Sequence, residues 1–432
     1  MGKFFHSVIL DKDACIGCTN CVKRCPTEAI RVRNGKAVII KERCIDCGEC
    51  IRVCPHHAKK AEFDRLSAIE GYEYKIALPA PVLYSQFNNL DDPDTVLAGL
   101  LELGFDAVFE VSRAAELVSG VTRLLMQQGE LPRPVISSAC PAILRIARVR
   151  FPGLLGNFLP LHAPMELAAR LAKIEAAEKT GLPPEKICTV FISPCPAKVT
   201  AVKMPLGTET SAVNYVVSIS EVYPLLVTTM KHAEHPELCH SGRLGIGWCV
   251  SGGEAAASLN ERYLAADGIE NCIKVMEDLE DERFSDLDFV ELNACPGGCV
   301  GGVLNVENPY IAEAKLKKLN KFRPVACNHI GRSLPDGVKW DRPVDYEPVL
   351  QLCEDVERSM QMMKEIKIIQ NRLRGVDCGS CGAPNCRALA EDIVKGYAHE
   401  TQCVFVTRDR LEGIVKNLRR MAFDIEEKPE DT

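Results

Sequence analysis

Sixteen of the 22 cysteines in this chain fall into four sets of four, and four thiolates at tetrahedral corners are what one iron–sulfur cube requires. The first two sets form a repeat. Cys15, Cys18, Cys21 and Cys25 stand in CIGCTNCVKRCP, and Cys44, Cys47, Cys50 and Cys54 stand in CIDCGECIRVCP, twenty-nine residues on. A C-x2-C-x2-C-x3-C-P run gives three ligands to one cube and the fourth to its twin. Cys15, Cys18, Cys21 and Cys54 are therefore expected around one 4Fe–4S cluster, and Cys44, Cys47, Cys50 and Cys25 around a second. Zinc gives no reason for eight cysteines with an exchanged fourth ligand. Disulfides would call for an oxidising compartment. The N-terminal MGKFFHSVILDKDAC reads as neither signal peptide nor membrane anchor, because charges resume after a short apolar run.

The chain is long enough for two to four domains. Residues 1–62 read as a ferredoxin-like α+β domain with two 4Fe–4S clusters, in which RVRNGKAVII is a hairpin turning at Asn34-Gly35. The charged stretch 59–74 reads as a linker. From residue 75 the texture is α/β: strand-length apolar runs (YKIALPA, AVFEV, PVISS, ICTVFIS, RLGIGWCV, DFVEL) alternate with helical stretches at 93–103, 113–128, 142–150 and 164–179. Buried parallel strands flanked by helices have this pattern. Gly104 and Gly181 are expected helix C-caps, and 255–266 and 311–320 are expected helices. Residues 347–374 predict one long helix with a near-heptad stripe of Val349, Leu352, Val356, Met360, Met363 and Ile366. Such a stripe packs on the main body, pairs with a second copy as a homodimer, or relays a signal. The acidic EEKPEDT tail is expected to be disordered. A formal net charge of −7 argues against nucleic acid as a partner. The lack of any run of eighteen apolar residues argues against a membrane span. So many cluster thiolates suit a reducing, oxygen-poor cytoplasm.

The third cysteine set comes from three segments of one design. PVISSACP ends a strand-like run at Cys140, ICTVFISPCPAK ends another at Cys195, and DFVELNACPGGCVGG ends a third with Cys295 and Cys299. Loops after the carboxyl ends of parallel strands converge on one crevice, so four thiols can meet there around a buried cube. Gly297, Gly298, Gly301 and Gly302 would let the backbone approach a bulky group, with N–H groups turned toward sulfur.

These three segments, in this order and behind a double-cube N-terminus, resemble the iron-only (FeFe) hydrogenases over roughly residues 1–340. The resemblance implies an α/β H-cluster domain with parallel or mixed sheets at 75–345, a linker helix at 347–375, a small helical Fe–S module at 376–410 and a helix with tail at 411–432. It further implies an H-cluster, a 4Fe–4S cube linked through one thiolate to a two-iron unit carrying CO, cyanide and azadithiolate. By motif, Cys140, Cys195 and Cys295 would hold the cube and Cys299 would bridge to the two-iron unit. Lys198 would hydrogen-bond a cyanide. Ala80-Pro81 and Ser251-Gly252-Gly253 match segments beside the same unit.

Several positions depart from the catalytic members. The residue before Cys140, a proton-passing cysteine in those members, is Ala139, and a methyl group carries no proton. In EVSRAAEL, Glu116 keeps one relay carboxylate while Arg113 replaces the other, and Ala163 stands in place of a relay serine. Ser193 and Asn293 replace two methionines that flank the two-iron unit. Cofactor ligands without the relay resemble the sensory-type branch of the family. That implies low-rate reversible hydrogen oxidation and proton reduction, in a protein that senses hydrogen or redox state, with H2 and protons as substrates, a ferredoxin as redox partner and a signalling protein as a further partner. Two other readings stay open. One is a fully catalytic hydrogenase whose proton path is rerouted, for example through Glu254, His162 or water. The other is a hydrogenase-like assembly protein without the two-iron unit.

The fourth set, Cys378, Cys381, Cys386 and Cys403, reads as one further 4Fe–4S site, with zinc as the alternative. Cys188, Cys239, Cys249, Cys272, Cys327 and Cys353 share no spacing and are expected as buried small hydrophobes. His232 and His235 with Cys239 and His240 could hold a metal, although a solvated loop is the plainer reading.

Overall fold

The apolar runs around 74–80, 187–193 and 288–292 become central strands of two separate parallel sheets. In this computed structural model, which describes residues 4–231, 237–284, 286–331 and 334–426, both sheets lie in one compact unit. That unit comprises the chain up to Ile9, Ile45–Arg52 and Lys60–Glu347; a second comprises Leu10–Cys44, Val53–Lys59 and the chain from Pro348.

The four-stranded sheet runs Ala107–Val108, Tyr74–Pro79, Ile187–Ser193, Tyr215–Ser218, with Tyr74 level with Ile187 and Val190 level with Tyr215. Ile187–Ser193 is buried at every position, which is why its sequence is a continuous apolar run rather than an alternation. The three-stranded sheet runs Tyr263–Asp267, Phe289–Asn293, Val135–Ile136, with Phe289 paired to both Tyr263 and Val135. Helices Asp94–Glu102, Val111–Gln128, Pro141–Arg150 and Pro164–Thr180 follow the expected spans closely. Gly181 ends the last of them in the left-handed conformation.

The prolines after Cys140 and Cys195 do more than stop strands. Each is the first residue of a helix, Pro141–Arg150 or Pro196–Lys203, with the cysteine as N-cap. Proline suits this position because its missing N–H is one the first turn cannot use. Strand, cysteine and helix thus follow within a few residues, and a helix N-terminus favours an anionic sulfur.

Four expectations are corrected. RLGIGWCV forms the short helix Arg243–Gly247 and not a strand. Gly245 lies against the Ser112 backbone, where a Cβ would be 2.2 Å from the carbonyl oxygen. The segment 255–266 is not one helix. Gly253–Ala257 ends early, Leu259 takes a positive φ, the Asn260 side chain accepts from the Arg262 N–H, and Tyr263–Asp267 enters the sheet. Residues 59–74 are no free linker: Asp64 N–H donates to the Val216 carbonyl, while its carboxylate accepts from Val216 N–H and pairs with Lys203. The helix expected at 347–374 is Val356–Arg372, started by the Asp355 side chain accepting from the Arg358 N–H. Val349 and Leu352 are therefore off the helix, and of the stripe on it Ile366 is buried while Val356, Met360 and Met363 are exposed.

In the second unit, Ile30–Arg33 and Lys36–Ile39 form the expected hairpin, with Asn34 and Gly35 both at positive φ. The helices Val356–Arg372 and Cys386–Val394 share a small core containing Ile366, Ile369, Leu373, Leu389 and Cys403. Helix Val404–Glu426 exposes Leu411, Ile414, Val415, Leu418 and Met421. Among the described residues no helix is long and apolar enough to cross a membrane. The EEKPEDT tail from residue 427, and His232 and His235, lie outside the described residues.

Candidate functional site

Cys140 and Cys195 cap the two helices just described, and Cys295 and Cys299 come from the loop after Phe289–Asn293. The sulfur atoms converge: Cys195 feels Cys140 and Cys299, and Cys295 feels Cys140, Cys195 and Cys299. Lys198, one turn along the helix from Cys195, places Nζ 3.8 Å from the Cys299 sulfur. Burial pushes the Cys195 thiol up to about 11 and also lifts Cys295 and Cys299, while the Lys198 charge opposes the rise at Cys195 and Cys299. The Lys198 ammonium is itself desolvated, yet its pKa is raised because the four sulfurs outweigh that cost. No carboxylate among the described residues lies within ion-pair distance of it. As neutral thiols the cysteines would leave this cation without a counter-charge. As thiolates on a metal cluster they supply one, so the donor set fits a cube with anionic ligands.

Beside these sulfurs is a cavity walled by Ala80, Pro81, Ala139, Ala163, Met165 and Asn293, among others. Ser193 is not on that wall. Its hydroxyl accepts from the Cys195 N–H and donates to the Cys195 carbonyl, fixing the cysteine's turn. Ser251 and Gly252 act through their backbone: Ser251 N–H donates to Gly297 and Gly252 N–H to Glu291. The glycines at 298, 301 and 302 serve loop packing. A Cβ at these positions would lie 2.7 Å from Ser251 N, 2.0 Å from the Pro296 carbonyl oxygen and 2.3 Å from that of Pro194. Their N–H groups donate to the Cys295, Gly298 and Cys299 carbonyls and not to sulfur.

On the same cavity stand two buried carboxylates, Glu254 and Glu291. Glu291 went unseen in the sequence because DFVELNAC reads as an ordinary strand end, and only the fold sets it beside Glu254. Glu254 Oε2 accepts from the Ser137 hydroxyl at 2.5 Å, and Glu291 accepts from Asn293, Gly252 N and Ala255 N at 2.6, 3.0 and 2.8 Å. Burial, and then the neighbouring Glu291 charge, push Glu254 up to about 8. The pair therefore keeps a proton at neutral pH.

The carboxylate expected in an outer relay has another task. Glu116 is 3% exposed and accepts from Gly242 N, Cys327 N, Asn328 N and Asn328 Nδ2 at 2.7–3.0 Å. These bonds pin two loops and occupy the acceptor sites a relay needs. Glu116→Gln should therefore destabilise the protein by roughly 2–4 kcal/mol, read as a lowered denaturant midpoint; an unchanged midpoint would return Glu116 to the relay. Arg113 lies over the Phe109 ring and pairs with Glu175. His162 is buried with Nε2 3.8 Å from Asp341, and desolvation lowers its pKa.

The Cys15, Cys18, Cys21 and Cys54 side chains border one pocket in the second unit, as the exchanged-ligand pattern requires, and Cys21 feels the other three. Of the twin set, Cys25 and Cys44 lie in the second unit, Cys47 and Cys50 in the first. Ile45 is buried in the core against which Cys47, Cys140 and Cys195 pack. In the fourth set Cys381 feels Cys378 and Cys403, while Cys386 sits beside Asp377. Among the leftover cysteines, Cys188, Cys249 and Cys272 are buried as expected. Cys327 is instead exposed, Cys353 is half-buried, and Cys239 is held by Glu110 and Arg323, each in a segment between regular elements.

The family model of the iron only hydrogenase large subunit, C-terminal domain, matches residues 73–259 and 250–303. A 4Fe-4S dicluster domain model matches 7–55 and an Fe–S cluster model 373–405. The periplasmic Fe hydrogenase large subunit of Nitratidesulfovibrio vulgaris is 32% identical over 213 residues, covering 45% of this chain and 50% of that protein. Iron hydrogenase 1 of Clostridium pasteurianum is 27% identical over 220 residues, covering 44% and 38%. The chain thus spans about half or less of the length of these relatives. The solved FeFe-hydrogenase HydA1 of Chlamydomonas reinhardtii superposes with a TM-score of 0.51 at 17% identity, covering 64% of this chain and 95% of that one, which is a likeness of fold.

Proposed function

The chain belongs to the iron-only hydrogenase family, and on that premise we propose that it binds an H-cluster and uses slow, reversible hydrogen chemistry to sense hydrogen or redox state. Cys140, Cys195, Cys295 and Cys299 would hold the group through their sulfurs, with Cys299 serving its two-iron part, and Lys198 would supply a cationic hydrogen-bond donor to it. When bound, the cofactor supplies the site at which the H–H bond is made or cleaved and takes up or releases the electrons. The protein's part is to wall that site and to handle protons. Ala80, Pro81, Ala139, Ala163 and Met165 keep the cavity apolar on one side, and Glu254 with Glu291 holds a proton on the other.

The observation that carries the slow-turnover reading is the placing of these proton groups. Methyl groups stand at 139 and 163, and the carboxylates that do face the cavity are bonded inward, to Ser137, Asn293 and backbone N–H groups. A proton held there exchanges with solvent slowly. The same pair supports a second reading, a faster hydrogenase whose proton path is rerouted through it. Infrared spectra of protein matured with the two-iron unit should show CO and cyanide bands, and their absence would leave only the assembly-type reading. Hydrogen evolution with a reduced dye then separates the other two, since a high turnover removes the sensory claim. Ala139→Cys alone should raise that rate less than about tenfold, because Glu116 is pinned; a gain nearer the ~10²–10⁴ that a working relay supplies would show an outer path intact.

Electrons would reach the site from a ferredoxin-type partner through the two N-terminal clusters, a route supported by the packing of Cys47 on the core that carries Cys140 and Cys195. The C-terminal four-cysteine site is the fourth cluster. The exposed apolar stripe of Val404–Glu426 supports a protein partner, either a signalling protein or a second copy. All 22 cysteines are free of disulfides, which suits the cytoplasm.

A further inference from the structure

We propose that the C-terminal cluster at Cys378, Cys381, Cys386 and Cys403 is the direct electron-exchange partner of the N-terminal cluster at Cys15, Cys18, Cys21 and Cys54. The proposal rests on both sites holding 4Fe–4S cubes, as read above. What carries it is that the two ligand loops themselves touch within the second unit. Val32 lines the pocket bordered by Cys15, Cys18, Cys21 and Cys54, and its N–H donates to the carbonyl of Gly382 at 2.8 Å. Gly382 directly follows Cys381. From the C-terminal ligand to the wall of the N-terminal pocket there is one peptide unit and one hydrogen bond.

The contact is built for closeness. Gly382 has φ +82°, and a Cβ there would lie 2.2 Å from the Val32 carbonyl oxygen; Gly379, next to Cys378, has φ +78° and sits on the Lys23 side chain. Glycine alone allows both the backbone angle and the approach. Lys23, two residues past Cys21, donates to the Pro384 carbonyl at 3.1 Å and to that of Asp377, both within the C-terminal ligand loop. Around this contact, Arg31 pairs with Asp392 at 2.7 Å, Arg33 joins the same carboxylate, and Arg43 pairs with Glu391. Arg31 and Asp392 are 5% and 8% exposed, and breaking a buried pair is costly enough to fix the orientation. A purely structural metal site would need its fold, not its ligand loop, against the other cluster.

The step is a single-electron exchange: the reduced N-terminal cube is oxidised by one electron and the C-terminal cube is reduced by it, with no atom transferred. The N-terminal cube is recharged by a one-electron donor of ferredoxin type. Electron paramagnetic resonance tests this on full-length protein assembled with iron and sulfide but without the two-iron unit, reduced with dithionite. The wild type should show broadening beyond that of the N-terminal pair of clusters, from interaction between the N-terminal and C-terminal cubes. Cys403→Ser should lose the iron of one cube and that broadening together. Asp392→Ala should keep its iron and narrow the signal toward that of Cys403→Ser. Should Asp392→Ala fail to fold, the comparison with Cys403→Ser still decides. Iron content unchanged by Cys403→Ser, or a fully loaded wild type whose spectrum is no broader than that of Cys403→Ser, would overturn the proposal. Because the two-iron unit is left out, either result stands apart from the infrared test of the hydrogenase reading.

Discussion

Glu254→Gln should leave the infrared bands of the matured protein in place and cut hydrogen turnover by about 10²-fold or more, the usual worth of a positioned acid–base group. The amide keeps the size and the hydrogen bond to Ser137 but holds no exchangeable charge. Burial and the Glu291 charge raise the Glu254 carboxyl to about 8, so its proton is present at neutral pH and lost as pH rises. Hydrogen evolution by the wild type should therefore fall through the alkaline limb, and the variant should lack that limb. Stability carries the same sign. The folded state binds a proton that the unfolded carboxyl, with its ordinary value of 4.5, releases, so the stability of the wild type declines as pH rises from that value through the folded one. The variant escapes the decline, and thermal midpoints should diverge in its favour across that window. Parallel midpoints and an unaltered rate would remove the pair from the mechanism.

The second large effect is expected at Lys198. Methionine there keeps much of the volume and removes the charge that stands 3.8 Å from the Cys299 sulfur. Breaking one side of a buried ion pair typically costs about 3–5 kcal/mol, equivalent to roughly 10²–10⁴ in an equilibrium constant. Lys198→Met should therefore retain the cube but lose the two-iron unit, seen as CO and cyanide bands falling to a few per cent of the wild type at unchanged cube iron. Lys198→Arg, which keeps the charge with a different shape, should lose less. Equal band intensities in Lys198→Met and the wild type would show that the cation has no part in holding the cofactor.

Much of the candidate site was legible because its ligands are chemically singular. Cys140, Cys195, Cys295 and Cys299 each follow a strand-like run, and three of them precede proline, so spacing and strand polarity together predict convergence. The Asn34-Gly35 hairpin and the helix at Pro164–Thr180 were readable for the same reason, since local turn chemistry and periodicity fix them. RLGIGWCV was misread because its glycines are there for contact with the Ser112 backbone, a constraint written in another segment. YLAAD was misread because its strand exists only through pairing with Phe289–Asn293.

The order of residues alone pointed to iron–sulfur clusters, because thiolate number and grouping are local properties of the peptide. It also settled that a methyl group, Ala139, and no proton-carrying side chain, precedes Cys140. Only the folded chain decided what the carboxylates do. Glu116, Glu254 and Glu291 are identical as letters, and nothing near them in sequence separates them. Four hydrogen bonds from distant loops make the first a fastener. Mutual burial makes the other two share a proton. A carboxyl's protonation is set by desolvation and by the charges beside it, and both are brought by segments far away along the chain.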